Sequence, residues 1–180
     1  MQEQELEQLR YPIGRFSKPE IITEEVVDAF IATIEAFPNK LIHTVYGMMD
    51  EQLDTPYRPE GWTIRQLVHH MADSHLNSYV RFKWALTEDK PTIKAYDEKL
   101  WAEEKEASEA PIEVSLKLLE ALHARWVLAL KNLSVDDLEK VFVHPESGKE
   151  VKLATNMAIY AWHCDHHLAH ITKLKQRKGW

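Results

Sequence analysis

The segment from Thr155 to Lys178 constrains the fold of this chain more than any other, because it contains neither proline nor glycine. Its apolar residues recur at helical spacing, and Gly179 follows at a position where glycine commonly ends a helix. The stretch HCDHHLAH, residues 163–170, lies within it and places four histidines in eight positions. The segment therefore predicts a long helix that packs its apolar side against other helices and carries a dense group of imidazole rings.

Three further segments show apolar residues at helical spacing and predict long helices. The first begins after Thr23, a typical N-cap residue, and continues to about Met48, with Pro38 inside it to kink or split it. The second covers about residues 63–86 and opens with a T-x-x-Q capping box, and the third covers about residues 111–132. Four long helices joined by connections of modest length predict an all-α four-helix bundle.

Two smaller features complete the predicted architecture. The sequence VFVHPESGKEVKL, residues 141–153, alternates on both sides of a Pro-Glu-Ser-Gly turn and predicts a small β-hairpin. Residues 1–22 are interrupted by two prolines and one glycine and predict an extended N-terminal arm. We therefore expect an arm over residues 1–22 and a single metal-binding bundle domain over residues 23–180.

Composition excludes several classes of function. The chain has 180 residues and a formal net charge of −7, and it lacks the basic face that a nucleic-acid-binding protein usually shows. Its single cysteine, Cys164, excludes an intramolecular disulfide, and its acidic N-terminus is unlike a signal peptide. No apolar run is long enough to cross a bilayer. We expect a cytoplasmic protein that acts on a small molecule and binds neither nucleic acid nor membrane.

The spacing of the histidines predicts a metal site. On a helix, His163 and His167 are one turn apart and lie nearest the apolar side, so that their rings can close on one ion. Neutral imidazole is a common ligand of zinc and also suits nickel, copper and iron. His166 and His170 form an equally spaced pair that lies further toward solvent or the rim of a cleft. A solvated histidine-rich surface is the alternative interpretation.

A third ligand must come from another helix, because a catalytic metal site usually has three protein ligands and one open position. The helix over residues 63–86 offers three histidines. His70 lies in a polar stripe, whereas His69 points away from both this stripe and the core, and His75 falls on the apolar side and predicts buried packing. The stripe around His70 contains Thr63, Gln66, Asp73, Ser74, Asn77 and Arg81.

Two residues of this stripe are candidate catalytic residues. Asp73 could orient a histidine or act as a base. Arg81 could bind the carboxylate of a small polar ligand. The spacing alone assigns neither role, and the general acid or base stays open.

Other metal patterns fit the sequence less well. The H-E-x-x-H pattern of zinc proteases requires glutamate where this chain has Cys164, which we expect to be a small buried side chain. A di-iron carboxylate bundle requires Glu-x-x-His on two helices, and Glu120 with His123 is the only match. His43, His123 and His144 have no partner by spacing, and we expect them at the surface.

Three stretches together resemble the DinB/YfiT-like superfamily, and within it the YfiT type of bacilli. They are YPIG at residues 11–14, QLDTPYRPEGWTIRQLVHHMADSHLNSYVRFKWALTE at residues 52–88 and YAWHCDHHLAHI at residues 160–171. The resemblance extends from Tyr11 to Trp180. It implies a four-helix bundle that holds one divalent ion, zinc or nickel, on three histidines, and it implies a homodimer.

Carried onto this chain, the ligands of that family are the second histidine of HHMAD, His70, and the H-x-x-x-H pair His163 and His167. The resemblance implies a metal-dependent hydrolase that acts on a small substrate through metal-bound water. A bacillithiol S-transferase that uses a metal-bound thiolate is the first alternative. A non-catalytic metal-binding stress protein is the second.

Overall fold

Four long helices and a two-stranded sheet make up most of the structure. The computed structural model describes residues 3–180, with elements in this order: α1 (Glu3–Arg10), α2 (Glu24–Val45), α3 (Asp50–Leu53), α4 (Ile64–Thr87), α5 (Glu98–Glu103), α6 (Lys105–Glu109), α7 (Glu113–Leu130), α8 (Val135–Glu139), β1 (Val141–Val143), β2 (Glu150–Lys152) and α9 (Leu153–Lys178). The predicted four-helix bundle is confirmed and consists of α2, α4, α7 and α9.

The order of the helices around the bundle differs from their order along the chain. The long helix α2 packs against α7 and α9, and α4 packs against the same two helices. The consecutive long helices α2 and α4 therefore lie on opposite corners, as do α7 and α9. Their inner faces share one apolar core, which includes Ile34, Leu41, Met71, Trp126 and Ile171.

The local signals in the sequence explain where the long helices begin and end. The Thr23 side chain accepts a hydrogen bond from the backbone N–H of Val26 and caps α2. Thr63 and Gln66 form the predicted capping box of α4. Gly179, at φ 71°, ends α9 in the left-handed conformation that glycine adopts without a steric penalty.

Helix α2 is continuous through Pro38 and is not split there. Proline has no backbone N–H, so the carbonyl group of Ile34, four residues earlier, lacks its usual helical donor. The ring of His123 on α7 fills this position, since its Nδ1 atom lies 2.7 Å from the Ile34 oxygen. A contact between helices thus replaces a hydrogen bond within the helix.

The hairpin is confirmed, and the arm requires a correction. Strands β1 and β2 pair antiparallel, with Val141 opposite Lys152. The predicted extended arm over residues 1–22 is wrong for residues 3–10, which form α1. Helix-favouring residues, acidic groups in the first turn and Arg10 in the last turn outweigh the breakers, which lie beyond residue 10. Residues 1 and 2 lie outside the described part of the chain.

The segment after α1 lies along α9. Tyr11 places its ring 6.0 Å from the ring of His166, and Phe16 places its ring 6.1 Å from that of Trp162. This segment therefore helps to cover the histidines of α9. Within residues 3–180, no helix combines the length and the apolar character that a membrane span requires.

Candidate metal centre

Helices α4 and α9 bring three histidine rings together. His70 comes from α4, and His163 and His167 come from successive turns of α9. One nitrogen of each ring lies within 4.8 Å of those of the other two. The ring centroid of His70 lies 5.6 Å from that of His163 and 5.1 Å from that of His167. The structure therefore groups the three residues that the sequence proposed as ligands.

The donor set fits a divalent ion. The Nε2 atoms of His163 and His167 are 3.1 Å apart. Two imidazole nitrogens that each bind zinc at about 2.1 Å lie roughly 3.0–3.4 Å apart at right or tetrahedral angles. Closing the site on an ion would therefore require little movement of this pair.

Burial keeps the rings neutral, which is the form that binds a metal. Removal of the ring from water lowers the pKa of His70 to about 4. The same effect, reinforced by the neighbouring histidines, lowers the pKa of His163 and of His167 well below the ordinary value of 6.5. Near pH 7 an ion would meet unprotonated nitrogen atoms.

A cleft of about 590 Å³ opens onto the three rings. Aromatic side chains form part of its wall: the ring of Trp62 lies 4.6 Å from that of His70, and the ring of Tyr57 lies 4.1 Å from that of His170. Charged side chains also line it, namely Arg10, Arg58, Glu60, Glu98 and Lys99. The site is thus accessible to a small polar molecule. Sequence patterns alone do not single out these aromatic and charged side chains, four of which lie in the stretch TPYRPEGW, residues 55–62.

The second histidine pair lines the cleft, which agrees with one of its two predicted positions, but it is buried and does not point toward solvent. His166 and His170 are 7% and 3% exposed, and their Nε2 atoms are 3.1 Å apart. Together with His167 they form a second group whose nitrogen atoms lie within 4.8 Å of one another. The spacing of residues on α9 does not show this burial, because Tyr11 and Tyr57 cover the rings from other segments.

Two further histidines also depart from their predicted positions. His69, which was predicted to point away from both the polar stripe and the core, is buried, and its Nδ1 atom lies 2.7 Å from the Ser115 hydroxyl. Helices α5 and α6 also pack on α4, and the spacing of residues along α4 alone does not show these contacts. His123 is 1% exposed rather than at the surface, because α7 packs between α2 and α4. The signal in the sequence for a buried donor such as His123 is Pro38, since a proline within a helix leaves the carbonyl four residues earlier without its helical donor.

The remaining expectations for histidine and cysteine are met. His75 is fully buried, and Cys164 is a buried side chain whose thiol pKa burial raises well above its ordinary value. His43 is exposed and His144 partly exposed. His75 nevertheless does more than fill space, since its Nε2 atom lies 3.0 Å from Nδ1 of His163.

The two candidate catalytic residues lie elsewhere. Among the described residues, neither Asp73 nor Arg81 lines the histidine cleft. Arg81 lines a neighbouring cleft of about 480 Å³, which shares Glu98 with the first. Asp73 is partly buried, and loss of hydration raises its pKa to about 6, with a smaller contribution from the charge of Glu106. Ser74 connects the two clefts, because its hydroxyl lies 3.5 Å from Nε2 of His163.

Comparison with known proteins agrees with this architecture. The family model of the DinB superfamily matches residues 33–171. Proteins of Bacillus cereus and Bacillus anthracis, each named "Putative metal-dependent hydrolase", are 55% identical over 172 residues, which cover 96% of this chain and 98% of theirs. YfiT from Bacillus subtilis, described as a probable metal-dependent hydrolase with an unusual four-helix bundle topology, is 47% identical with a TM-score of 0.94, covering 96% of this chain and 99% of its own. The chain therefore belongs to the DinB superfamily.

Proposed function

We propose that this protein is a metal-dependent hydrolase in which His70, His163 and His167 bind one divalent ion, zinc or nickel. The observation that carries the proposal is the convergence of three neutral imidazole rings from two helices at an accessible cleft. The names of the similar proteins support it. When bound, such an ion supplies Lewis acidity, which polarises a carbonyl group and activates a water molecule or a thiol.

We propose one ion per chain, because His167 belongs to both groups of three histidines and the two groups therefore overlap. The first group takes its ligands from two helices, α4 and α9, whereas the second takes all of them from α9. We therefore place the ion in the first group.

The other residues of the cleft bind and orient the substrate. The rings of Tyr57, Trp62 and Trp162 line the cleft and offer apolar contacts to a substrate beside the histidines. Arg58 and Lys99 can bind an anionic group, and Glu98 a cationic one. This mixture of charges favours a small substrate that carries both a polar and an apolar part.

Thiol transfer is the second candidate function, with bacillithiol as the co-substrate. Its support is the presence of three cationic side chains, Arg10, Arg58 and Lys99, in the lining of the cleft. Positive charge stabilises a thiolate relative to a thiol, and the thiolate is the reactive nucleophile. In this case the cleft holds the thiol and directs it at an electrophile.

An assay on the purified protein distinguishes these functions. Its metal content is measured, and the protein is then offered esters and amides in water, and an alkylating electrophile with bacillithiol, with cysteine or with water alone. Turnover of an ester or amide that needs the metal supports hydrolysis, and conjugation that needs metal and bacillithiol supports transfer. His70→Ala should abolish either activity, and His43→Ala, which changes an exposed histidine, should retain it. Loss of stability without any activity would favour a non-catalytic metal-binding protein.

A further inference from the structure

Three histidines form a hydrogen-bonded chain that connects the candidate metal centre to a backbone carbonyl. Nδ1 of His163 on α9 lies 3.0 Å from Nε2 of His75 on α4. Nδ1 of His75 lies 2.7 Å from Nε2 of His123 on α7. Nδ1 of His123 lies 2.7 Å from the carbonyl oxygen of Ile34 on α2. The chain therefore includes one residue from each long helix of the bundle.

The carbonyl end fixes the direction of every hydrogen bond in the chain. A carbonyl oxygen only accepts, so His123 carries its hydrogen on Nδ1 and, as a neutral ring, has a lone pair on Nε2. His75 must then donate from Nδ1 to His123 and accept at Nε2. His163 must donate from Nδ1 to His75, which leaves the lone pair of His163 on Nε2.

That lone pair belongs to the atom that faces the second ligand. Nε2 of His163 lies 3.1 Å from Nε2 of His167. A metal ligand needs an unprotonated nitrogen directed at the ion. The chain therefore selects the form of His163 that can bind, before any ion arrives.

Pro38 makes the starting carbonyl available. In an uninterrupted helix the N–H of residue 38 would bond to the carbonyl of Ile34, and proline cannot supply it. This carbonyl is buried, because Ile34 and His123 are 0% and 1% exposed. A buried carbonyl without a donor destabilises the folded state, so the tautomer of His123 with hydrogen on Nδ1 is favoured.

We propose that His75 and His123 are positioning residues that hold His163 in the tautomer with hydrogen on Nδ1 and its Nε2 lone pair directed at the metal. The inference rests on the proposed metal site. An acceptor on the second nitrogen of a ligating histidine fixes the ring and increases its basicity. Here the acceptor is His75. The carbonyl group of Ile34 on α2 sets the tautomer of His75 through His123.

The chain positions the ligand and does not conduct protons to solvent. A conducting chain needs a terminal group that can take up and release a proton, and a backbone carbonyl does not do so. His123 and His75 are buried, with 1% and 0% exposure. Removing them should therefore change the affinity for metal and the tautomer of His163.

Nitrogen-15 NMR of the imidazole rings tests the tautomers directly, on the protein as purified and again after chelation. We expect His75 and His123 to carry hydrogen on Nδ1 in both samples, and His163 to do so after chelation. Hydrogen on Nε2 of either His75 or His123 would overturn the inference. The result does not depend on whether the purified protein holds a metal, so it is separate from the test of the proposed function.

Metal affinity, measured by competition with a chelator below the melting temperature, tests the consequence. His123→Leu removes both hydrogen bonds of that ring and should weaken zinc binding by about tenfold, the lower end of the range for such partners. His123→Gln can accept from His75 and donate to Ile34, and should retain most of the affinity.

His69→Leu is the matched control. His69 is also buried and hydrogen-bonded between α4 and α7, but it does not belong to the hydrogen-bonded series of His163, His75 and His123. It should lower the melting temperature without changing the affinity. An equal effect of His123→Leu and His69→Leu on affinity would overturn the inference. If His123→Leu does not fold, the tautomers measured by NMR and the metal affinity of His123→Gln test the inference instead.

Discussion

Both ring nitrogens of His163 have a defined neighbour. Nε2 faces His167 and Nδ1 faces His75, at 3.1 and 3.0 Å. The ring therefore belongs at once to the proposed ligand set and to the network that spans the bundle. This double role makes residue 163 the position where a substitution should have the largest effect on metal binding.

Single substitutions should separate the two histidine pairs of α9. His163→Ala or His167→Ala removes a proposed ligand and should abolish stoichiometric binding of a divalent ion. His166→Ala or His170→Ala should largely retain it, because the first group of three stays complete. Elemental analysis after dialysis measures the result. A requirement for the second pair but not the first would show that the ligands are assigned wrongly.

Protonation of the buried histidines should destabilise the metal-free protein in acid. The pKa values of His70 and His123 are lowered by burial to about 4, whereas those of the unfolded chain are about 6.5. The unfolded state then binds more protons, so stability is lost as the pH falls from about 6.5 to about 4. One such ring contributes on the order of 3 kcal/mol over this interval.

Urea unfolding at several pH values checks this prediction. The free energy of unfolding should fall steeply below pH 6.5 for the metal-free protein and less steeply for His123→Gln, which removes one of the titrating rings. A free energy that stays constant between pH 6.5 and pH 4.5 would contradict the neutral, buried state of these histidines.

At the scale of elements, the proposed ion joins two helices. His70 lies on α4, and His163 and His167 lie on α9. An ion that binds only the native state stabilises it, by about 2.7 kcal/mol at a free concentration of 100 times the dissociation constant. Calorimetry should therefore show a lower melting temperature after chelation at pH 7, and the same chelation should have no effect on His163→Ala. An unchanged melting curve for the wild-type protein stripped of metal would contradict a site that joins α4 and α9.

The elements that the sequence predicts well are those with strong local signals. The capping residues Thr23 and Thr63 and the terminal Gly179 mark the ends of long helices, and the structure uses all three. The short helices α5 and α6 are too short to show a periodic apolar pattern. Helices of this size form only where tertiary contacts support them. The packing of α5 and α6 on α4, which buries His69, therefore has no strong signal in the sequence.

The same difference explains what the sequence reveals about the candidate site. His163 and His167 are recognisable because both lie on one helix at a spacing that brings their rings together. His123 was not recognisable, since its partners lie on other helices and its spacing on α7 carries no information. Only the tertiary structure shows that His123 donates to the Ile34 carbonyl, which Pro38 leaves without a helical donor.

At the scale of the whole molecule, the bundle places α4 and α9 side by side and α2 and α7 on either side of them. All three connections of the histidine chain cross an interface between helices. The ligand geometry therefore depends on the packing of the entire bundle and not on α9 alone. The boundary between an arm and a domain at residue 22 stays a prediction.

The oligomeric state is a prediction at this scale. Its basis is the resemblance to the YfiT type of protein, and we expect a homodimer in solution. Light scattering coupled to size-exclusion chromatography should give twice the 21.0 kDa mass of the chain. A mass of one chain over the whole accessible range of concentration would contradict it.

The location of the ion in a crystal of the metal-loaded protein tests the central claim most directly. Anomalous diffraction at the absorption edge of the added metal identifies the ion and its ligands independently of any activity. We predict one strong peak per chain, bonded at about 2.1 Å to nitrogen atoms of His70, His163 and His167. A peak bonded instead to His166, His167 and His170, or no peak at the three predicted ligands, would contradict the account.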